Sequence, residues 1–110
     1  MKKIKSLVTG GAGFIGSNLV DELVNRGHYV TIVDNFVTGN KRNISHHKKS
    51  DVKLLKVDLS KHNNLNKIVK GNDFVFHLAG LADIVPSIEK PKEYFKTNVE
   101  GTFKLLNACK

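Results

Sequence analysis

Four glycines, Gly10, Gly11, Gly13 and Gly16, crowd the stretch VTGGAGFIGSN between Val8 and Asn18. An ordered glycine destabilises the fold by about 0.5–1 kcal/mol relative to alanine, so this density points to a demand on the backbone itself. The spacing Gly11-x-Gly13-x-x-Gly16 is weak alone and becomes specific between a strand and a helix. In that setting Gly10 turns the chain off the strand and Gly13 lets a phosphate reach the backbone. Gly16 lets helix and strand pack closely. Free N–H groups at the helix N-terminus, with the helix dipole, attract the anion. Asp34 follows Gly13 by 21 residues, near the ~20-residue offset of a carboxylate that binds an adenosine ribose. Such a carboxylate accepts from both ribose hydroxyls and repels a 2′-phosphate, which favours NAD over NADP, although Lys41 and Arg42 lie nearby in the chain. The competing role for Asp34 is a residue that ends a strand in a turn. A nucleoside-triphosphate P-loop is excluded, because Ser17-Asn18 follows Gly16 where that loop needs Lys-Ser/Thr.

The elements around these residues form a βαβ unit. Ile4 and Leu7-Val8-Thr9 predict a short buried strand. Ile15, Leu19 and Leu23, with Val20 and Val24 beside them, predict an amphipathic helix that Gly27 stops. YVTIVD (Tyr29–Asp34) predicts a second strand, VKLLKVDLS a third ending in Asp58, and DFVFHLAG a fourth running into small residues. The four strands are expected near residues 4–9, 29–34, 53–58 and 73–78. Leu65, Ile68 and Val69 predict a short helix closed by Gly71. In NVEGTFKLLNACK, periodicity places Val99, Phe103 and Leu106, with Leu105 as a further candidate, on the buried side of a last helix.

TGGAGFIG, VDNFVTGNKRN, VDLS, FVFHLAG and TNVEGT occur in order over essentially the whole chain. In this they resemble the extended short-chain dehydrogenase/reductases, whose marker is Gly10-x-x-Gly13-x-x-Gly16 preceded by Thr9. The nearest likeness is to NAD-dependent nucleotide-sugar epimerases, dehydratases and decarboxylases, with UDP-glucose 4-epimerase as the type. The resemblance implies an α/β fold with a doubly wound parallel sheet, a Rossmann-type NAD-binding domain, incomplete here. Residues 1–110 would be the N-terminal part of that domain, with the catalytic segment and the substrate domain not present in this chain.

The resemblance also implies site residues. Gly10, Gly13, Phe14, Ile15 and Gly16 would form the phosphate turn, and Asp34, Asn35, Thr38 and Gly39 the ribose side. Asp58 would meet the adenine amine and Leu59 would add a backbone or apolar contact; the alternative is that Asp58 caps the next helix, with Ser60 as a rival cap. Leu78, Ala79, Gly80 and Leu81 would follow the cofactor toward the nicotinamide ribose. Asn98 would sit beside the active site in the last helix. Ser87 would face a nucleotide-sugar, a UDP-sugar first, or serve as a plain cap. The family base is a tyrosine in Tyr-x-x-x-Lys, whose pKa the lysine lowers. Here Tyr29 is followed four residues on by Val33, and Tyr94 by Asn98. No catalytic residue is therefore assigned in this chain. Ala82 stands where some epimerases carry a lysine. The implied function is the NAD-binding part of a UDP-sugar 4-epimerase that transiently oxidises sugar C4. The alternatives are a UDP-glucuronate decarboxylase, a nucleotide-sugar 4,6-dehydratase, or a non-catalytic dinucleotide-binding protein. A homodimer is expected of the full-length protein.

Composition fits these expectations. Eighteen Lys and Arg against ten Asp and Glu give a formal net charge of +8. The lysines are scattered without interleaved aromatics, which argues against a nucleic-acid surface and suits an anionic substrate. Cys109 is the only cysteine, so no disulfide framework is expected. The apolar run at Leu7-Val8 is too short for a signal peptide or a membrane span, and a cytoplasmic protein is expected. His77 falls in a buried strand and is expected to be structural. His46-His47 is expected to be an exposed loop pair whose side chains point apart, so no metal site is assigned.

Overall fold

Successive side chains of two central strands, buried almost throughout, pack alternately into two apolar layers. The computed structural model describes residues 3–80 and 88–110. Lys5–Thr9 (β1), Tyr29–Asp34 (β2), Val52–Lys56 (β3) and Phe74–His77 (β4) form one parallel sheet in the order β3-β2-β1-β4. Val8, Val30 and Ile32 point to one face, where Val20 and Leu23 of helix α1 (Phe14–Asn25) cover them. Leu7 and Val33 point to the other, against Leu65 of α2 (Leu65–Val69) and Leu105 of the last helix. This is the doubly wound parallel arrangement that the sequence predicts. The chain moves outward from β1 through β2 to β3, then returns to β4 on the opposite side of β1. That reversal opens a crevice at the carboxyl ends of β1 and β4.

The glycines explain the sharp local turns. α1 ends in a Schellman motif, with Gly27 at φ +86° and His28 N–H donating to the Leu23 carbonyl at 3.0 Å. Gly10, at φ +71°, turns the chain off β1, and a side chain there would strike the Leu78–Ala79 backbone at 2.8–2.9 Å. Gly16 lies against this turn so closely that a Cβ would fall 2.1 Å from the Gly10 carbonyl oxygen. β3 ends at Lys56, two residues before Asp58, and its exposed Lys53 and Lys56 blunt this sheet edge.

Two apolar faces differ from expectation. Ile15 is 70 % exposed, because it occupies the first turn of α1, which overhangs the end of the sheet. The last helix runs as Pro91–Phe95 (α3), a π-helical turn at Lys96–Glu100, and Gly101–Cys109 (α4). Its buried side carries Gly101 and Leu105, whereas Val99, Phe103 and Leu106 are exposed. The π turn adds a residue per turn and shifts the helical phase. Contact with the turn after β3, where Gly101 approaches Leu59, fixes which side faces inward.

Gly16→Ala should destabilise the protein by roughly 3 kcal/mol, since the clash is with backbone that cannot rotate away. Gly27→Ala, where a Cβ meets nothing within 4 Å among the described residues, should cost only about 1–2 kcal/mol for its left-handed backbone. Urea midpoints of the two variants check this ordering; equal shifts would contradict it.

Candidate functional site

The crevice at the carboxyl ends of the strands gathers residues from every loop there. Gly10 and Gly13 form its floor, and Asp34, Asn35 and Thr38 one wall. Asp58, Leu59 and Ser60 form a second wall, and Leu78, Ala79 and Gly80 the far end. Gly13 is the N-cap of α1 and no side chain caps the helix there. Among the described residues, a Cβ on Gly13 would meet only the Gly10 carbonyl oxygen, at 3.3 Å. The helix end therefore faces the crevice with backbone donors and space above them, as an anionic group requires.

Asp34 ends β2 with its carboxylate buried and anchored. Oδ2 accepts from Ala12 N–H at 3.0 Å and Oδ1 from Phe36 N–H at 2.7 Å. The second bond closes a turn that holds Phe36 at φ +62°, a backbone region unusual for an aromatic residue. Gly39 completes the cradle, because a Cβ there would lie 2.8 Å from Asp34 Oδ2. A carboxylate has about four acceptor sites, so these two amides leave capacity for a diol. Asp34 thus fills the strand-ending role and also faces the crevice.

Asp58 behaves similarly. Its Oδ1 accepts from Ser60 N–H at 3.0 Å and from Ser60 Oγ–H at 2.6 Å. Burial pushes its carboxyl up, but Ser60, the Lys61 charge and the Asn35 side chain outweigh that and hold it below the usual carboxylate range. It orders the turn at 58–62 rather than capping α2, whose N-cap is Asn64. The Leu59 side chain is buried in the second apolar layer.

The other assigned residues lie around this crevice. Gly16 packs behind the turn, while Phe14 is 82 % exposed beside Ile15 at the start of α1. Asn98 sits in the π turn, where its side-chain oxygen would lie 3.3 Å from a Cβ on Gly80. Leu81 and Ser87 lie outside the described residues. Val33, Val57 and Thr97 also line the crevice, as does Ser60, which bonds to Asp58 there instead of capping the next helix. In sequence, Val33, Val57 and Thr97 are marked only by adjacency to Asp34, Asp58 and Asn98. His46 and His47 do not point apart: their ring centroids are 4.0 Å apart and both approach Asp21.

His77 joins the crevice to the last helix. Thr9 Oγ1 accepts from Leu78 N–H at 3.0 Å and Ala79 N–H at 3.1 Å. With both lone pairs engaged, its hydroxyl must donate to His77 Nδ1, 2.7 Å away. On the far side, the Thr102 hydroxyl donates to the Asn98 carbonyl at 2.6 Å, so it accepts from His77 Nε2–H at 2.8 Å. Leu78 N–H is shared with the Thr9 carbonyl at 3.1 Å, and the arrangement favours a neutral imidazole with its proton on Nε2. Burial lowers the pKa of His77 in the same sense.

Residues 6–110 match the model of the NAD dependent epimerase/dehydratase family. The chain is 42% identical over 99% of its length to the UDP-N-acetyl-alpha-D-glucosaminuronate decarboxylase of Bacillus cytotoxicus, covering 33% of that protein. Among solved structures it resembles a UDP-N-acetylglucosamine 4-epimerase from Methanobrevibacter ruminantium in complex with UDP-N-acetylmuramic acid, with a TM-score of 0.90 and 40% identity over 99% of this chain and 34% of that one. It also resembles a Thermus thermophilus UDP-glucose 4-epimerase complexed with NAD, with a TM-score of 0.84 and 37% identity over 96% of this chain and 33% of that one. The chain spans about a quarter to a third of the length of the curated decarboxylases it matches.

Because the folded state disfavours protonated His77, the unfolded chain binds more protons just below the ordinary histidine pKa of about 6.5. Stability contributed by neutral His77 should be complete above that value and fall as the pH drops through it toward the lower folded pKa. His77→Gln should flatten this part of the profile. Urea unfolding of both proteins between neutral and mildly acid pH measures the difference; parallel profiles would refute the assignment.

Proposed function

This chain belongs to the NAD dependent epimerase/dehydratase family, and we propose that it forms the NAD-binding part of a UDP-sugar 4-epimerase. The anchored Asp34 carboxylate carries this reading. It stands at the end of β2, facing the glycine turn, with acceptor sites left for the two hydroxyls of an adenosine ribose. Gly13 and the N-terminus of α1 would take the pyrophosphate. Asp58, whose carboxyl is held below the usual range despite its burial, chiefly by Ser60, would accept from the adenine amine. Leu78, Ala79 and Gly80 would lead toward the nicotinamide ribose, with Asn98 beside them and Leu81 next in the chain.

Bound NAD would supply the acceptor for hydride from sugar C4 and the donor that returns it. The residues of this chain bind and orient; they do not supply the base. No tyrosine here is followed four residues later by lysine, so we place that pair, the substrate domain and most contacts to the sugar outside these 110 residues. Ser87 is our candidate for one such contact. The likeness to the Bacillus cytotoxicus decarboxylase supports a second reading, a UDP-sugar decarboxylase, which begins with the same oxidation at C4. Product analysis of the intact protein with UDP-sugars and UDP-uronic acids separates the two, by the 4-epimer or by released carbon dioxide.

Cofactor choice tests the site directly. Charge-assisted hydrogen bonds are worth about 1.5–3 kcal/mol each, so Asp34→Ala should weaken NAD binding roughly tenfold to a hundredfold. NADP should bind the wild type less well than NAD, and the substitution should narrow the gap by removing a repulsive charge. Asp34→Asn, which keeps an acceptor for one of the two amides, controls for loosening of the turn. Calorimetric titration of both cofactors is the measurement, and equal wild-type affinity for NAD and NADP would overturn the role of Asp34.

A further inference from the structure

On the outer side of α1, away from the crevice, three donor atoms converge. The Nε2 atoms of His46 and His47 each lie 2.8 Å from Asp21 Oδ1. All three atoms fall within 4.8 Å of one another. We propose that Asp21, His46 and His47 form a binding site for one divalent transition-metal ion, of which zinc is the best chemical fit.

The donor set argues for this class of ion. Two imidazoles and one carboxylate suit zinc and its first-row neighbours, whereas magnesium and calcium prefer all-oxygen shells. Zinc bonds to nitrogen of about 2.0–2.1 Å at tetrahedral angles separate adjacent donor atoms by roughly 3.3–3.5 Å. The observed separations, 2.8 Å from each Nε2 to Asp21 Oδ1 and at most 4.8 Å between any two of the three atoms, bracket that spacing. Each imidazole would move its remaining proton to Nδ1 and present Nε2 to the ion. Three protein ligands leave a fourth position for water.

The backbone accounts for the convergence. His46 and His47 follow a single 3-10 turn, Lys41–Asn43, and Ile44 behind that turn is buried in the first apolar layer. His47 N–H then bonds to the Ile44 carbonyl at 3.3 Å, which bends the chain so that both rings lie on one side. The His47 side chain is only 7 % exposed, so one ligand is fixed before an ion arrives. As a surface ion pair alone the cluster would contribute little, about 0–1 kcal/mol. A dication accepts two neutral imidazoles and one carboxylate together.

Such an ion would staple the segment after β2 to α1. The same segment is already tied to the glycine turn through Asn40 N–H and Asn43 Nδ2, both donating to the Ala12 carbonyl at 3.0 and 2.8 Å.

The intact protein, stripped of metal, can be titrated with Zn2+ by calorimetry and with Co2+ by visible absorption. One saturable binding step is expected, with the intense d–d bands of four-coordinate Co2+, and Zn2+ should raise the unfolding temperature. His46→Ala and Asp21→Asn, both at partly exposed positions, should each weaken that step at least tenfold. Cys109→Ser and His62→Ala should leave it unchanged. Absence of saturable binding at millimolar ion, or a step that survives both ligand substitutions, would overturn the proposal.

Discussion

Three stretches of backbone meet at Gly10 with no room for a side chain between them. Gly10 itself presses on Leu78–Ala79, and Gly16 presses on the Gly10 carbonyl. This contact sets how far α1 tilts across β1 and how close the end of β4 comes to the glycine turn. The crevice is the space left over once those distances are fixed. Its floor, its far wall and the direction of the helix end are therefore consequences of one steric constraint rather than three separate designs.

Polar side chains then hold what sterics alone leaves loose. Asp34 ties the glycine turn to the turn after β2, and Asp58 with Ser60 shapes the loop after β3. Thr9 secures the residues after β4, and through His77 it reaches the last helix. Each strand end is thus closed by a side chain bonding to backbone N–H groups. Those side chains supply acceptors inside a region where an unpaired amide would be expensive.

The strands, their parallel direction and the glycine turn were legible in sequence because short apolar, β-branched runs and glycine spacing are local signals, and a strand-helix-strand unit implies parallel pairing. Asp34 was legible through its offset from Gly13. The inward side of the last helix was not. Apolar residues occur on both sides of it, and its π turn changes the phase that periodicity assumes constant. Only contact with Leu59 and the 58–62 turn decides for Leu105 over Val99, Phe103 and Leu106. The meeting of His46 and His47 with Asp21 was equally hidden, since it depends on a bend anchored by Ile44 and on a partner 25 residues away. Thr97 carries no pattern of its own and entered the crevice only as a neighbour of a better-marked residue.

The chain of hydrogen bonds through His77 has one sense from end to end. It starts at the amide N–H groups of Leu78 and Ala79 and finishes at the amide carbonyl of Asn98. Neither kind of terminus takes up or releases protons readily, so nothing can enter the wire at one end and leave at the other. Electrically it is an insulator. The two ring nitrogens of this histidine are both occupied by threonine hydroxyls. At neutral pH the imidazole serves as a spacer of one polarity that ties the residues after β4 to the last helix.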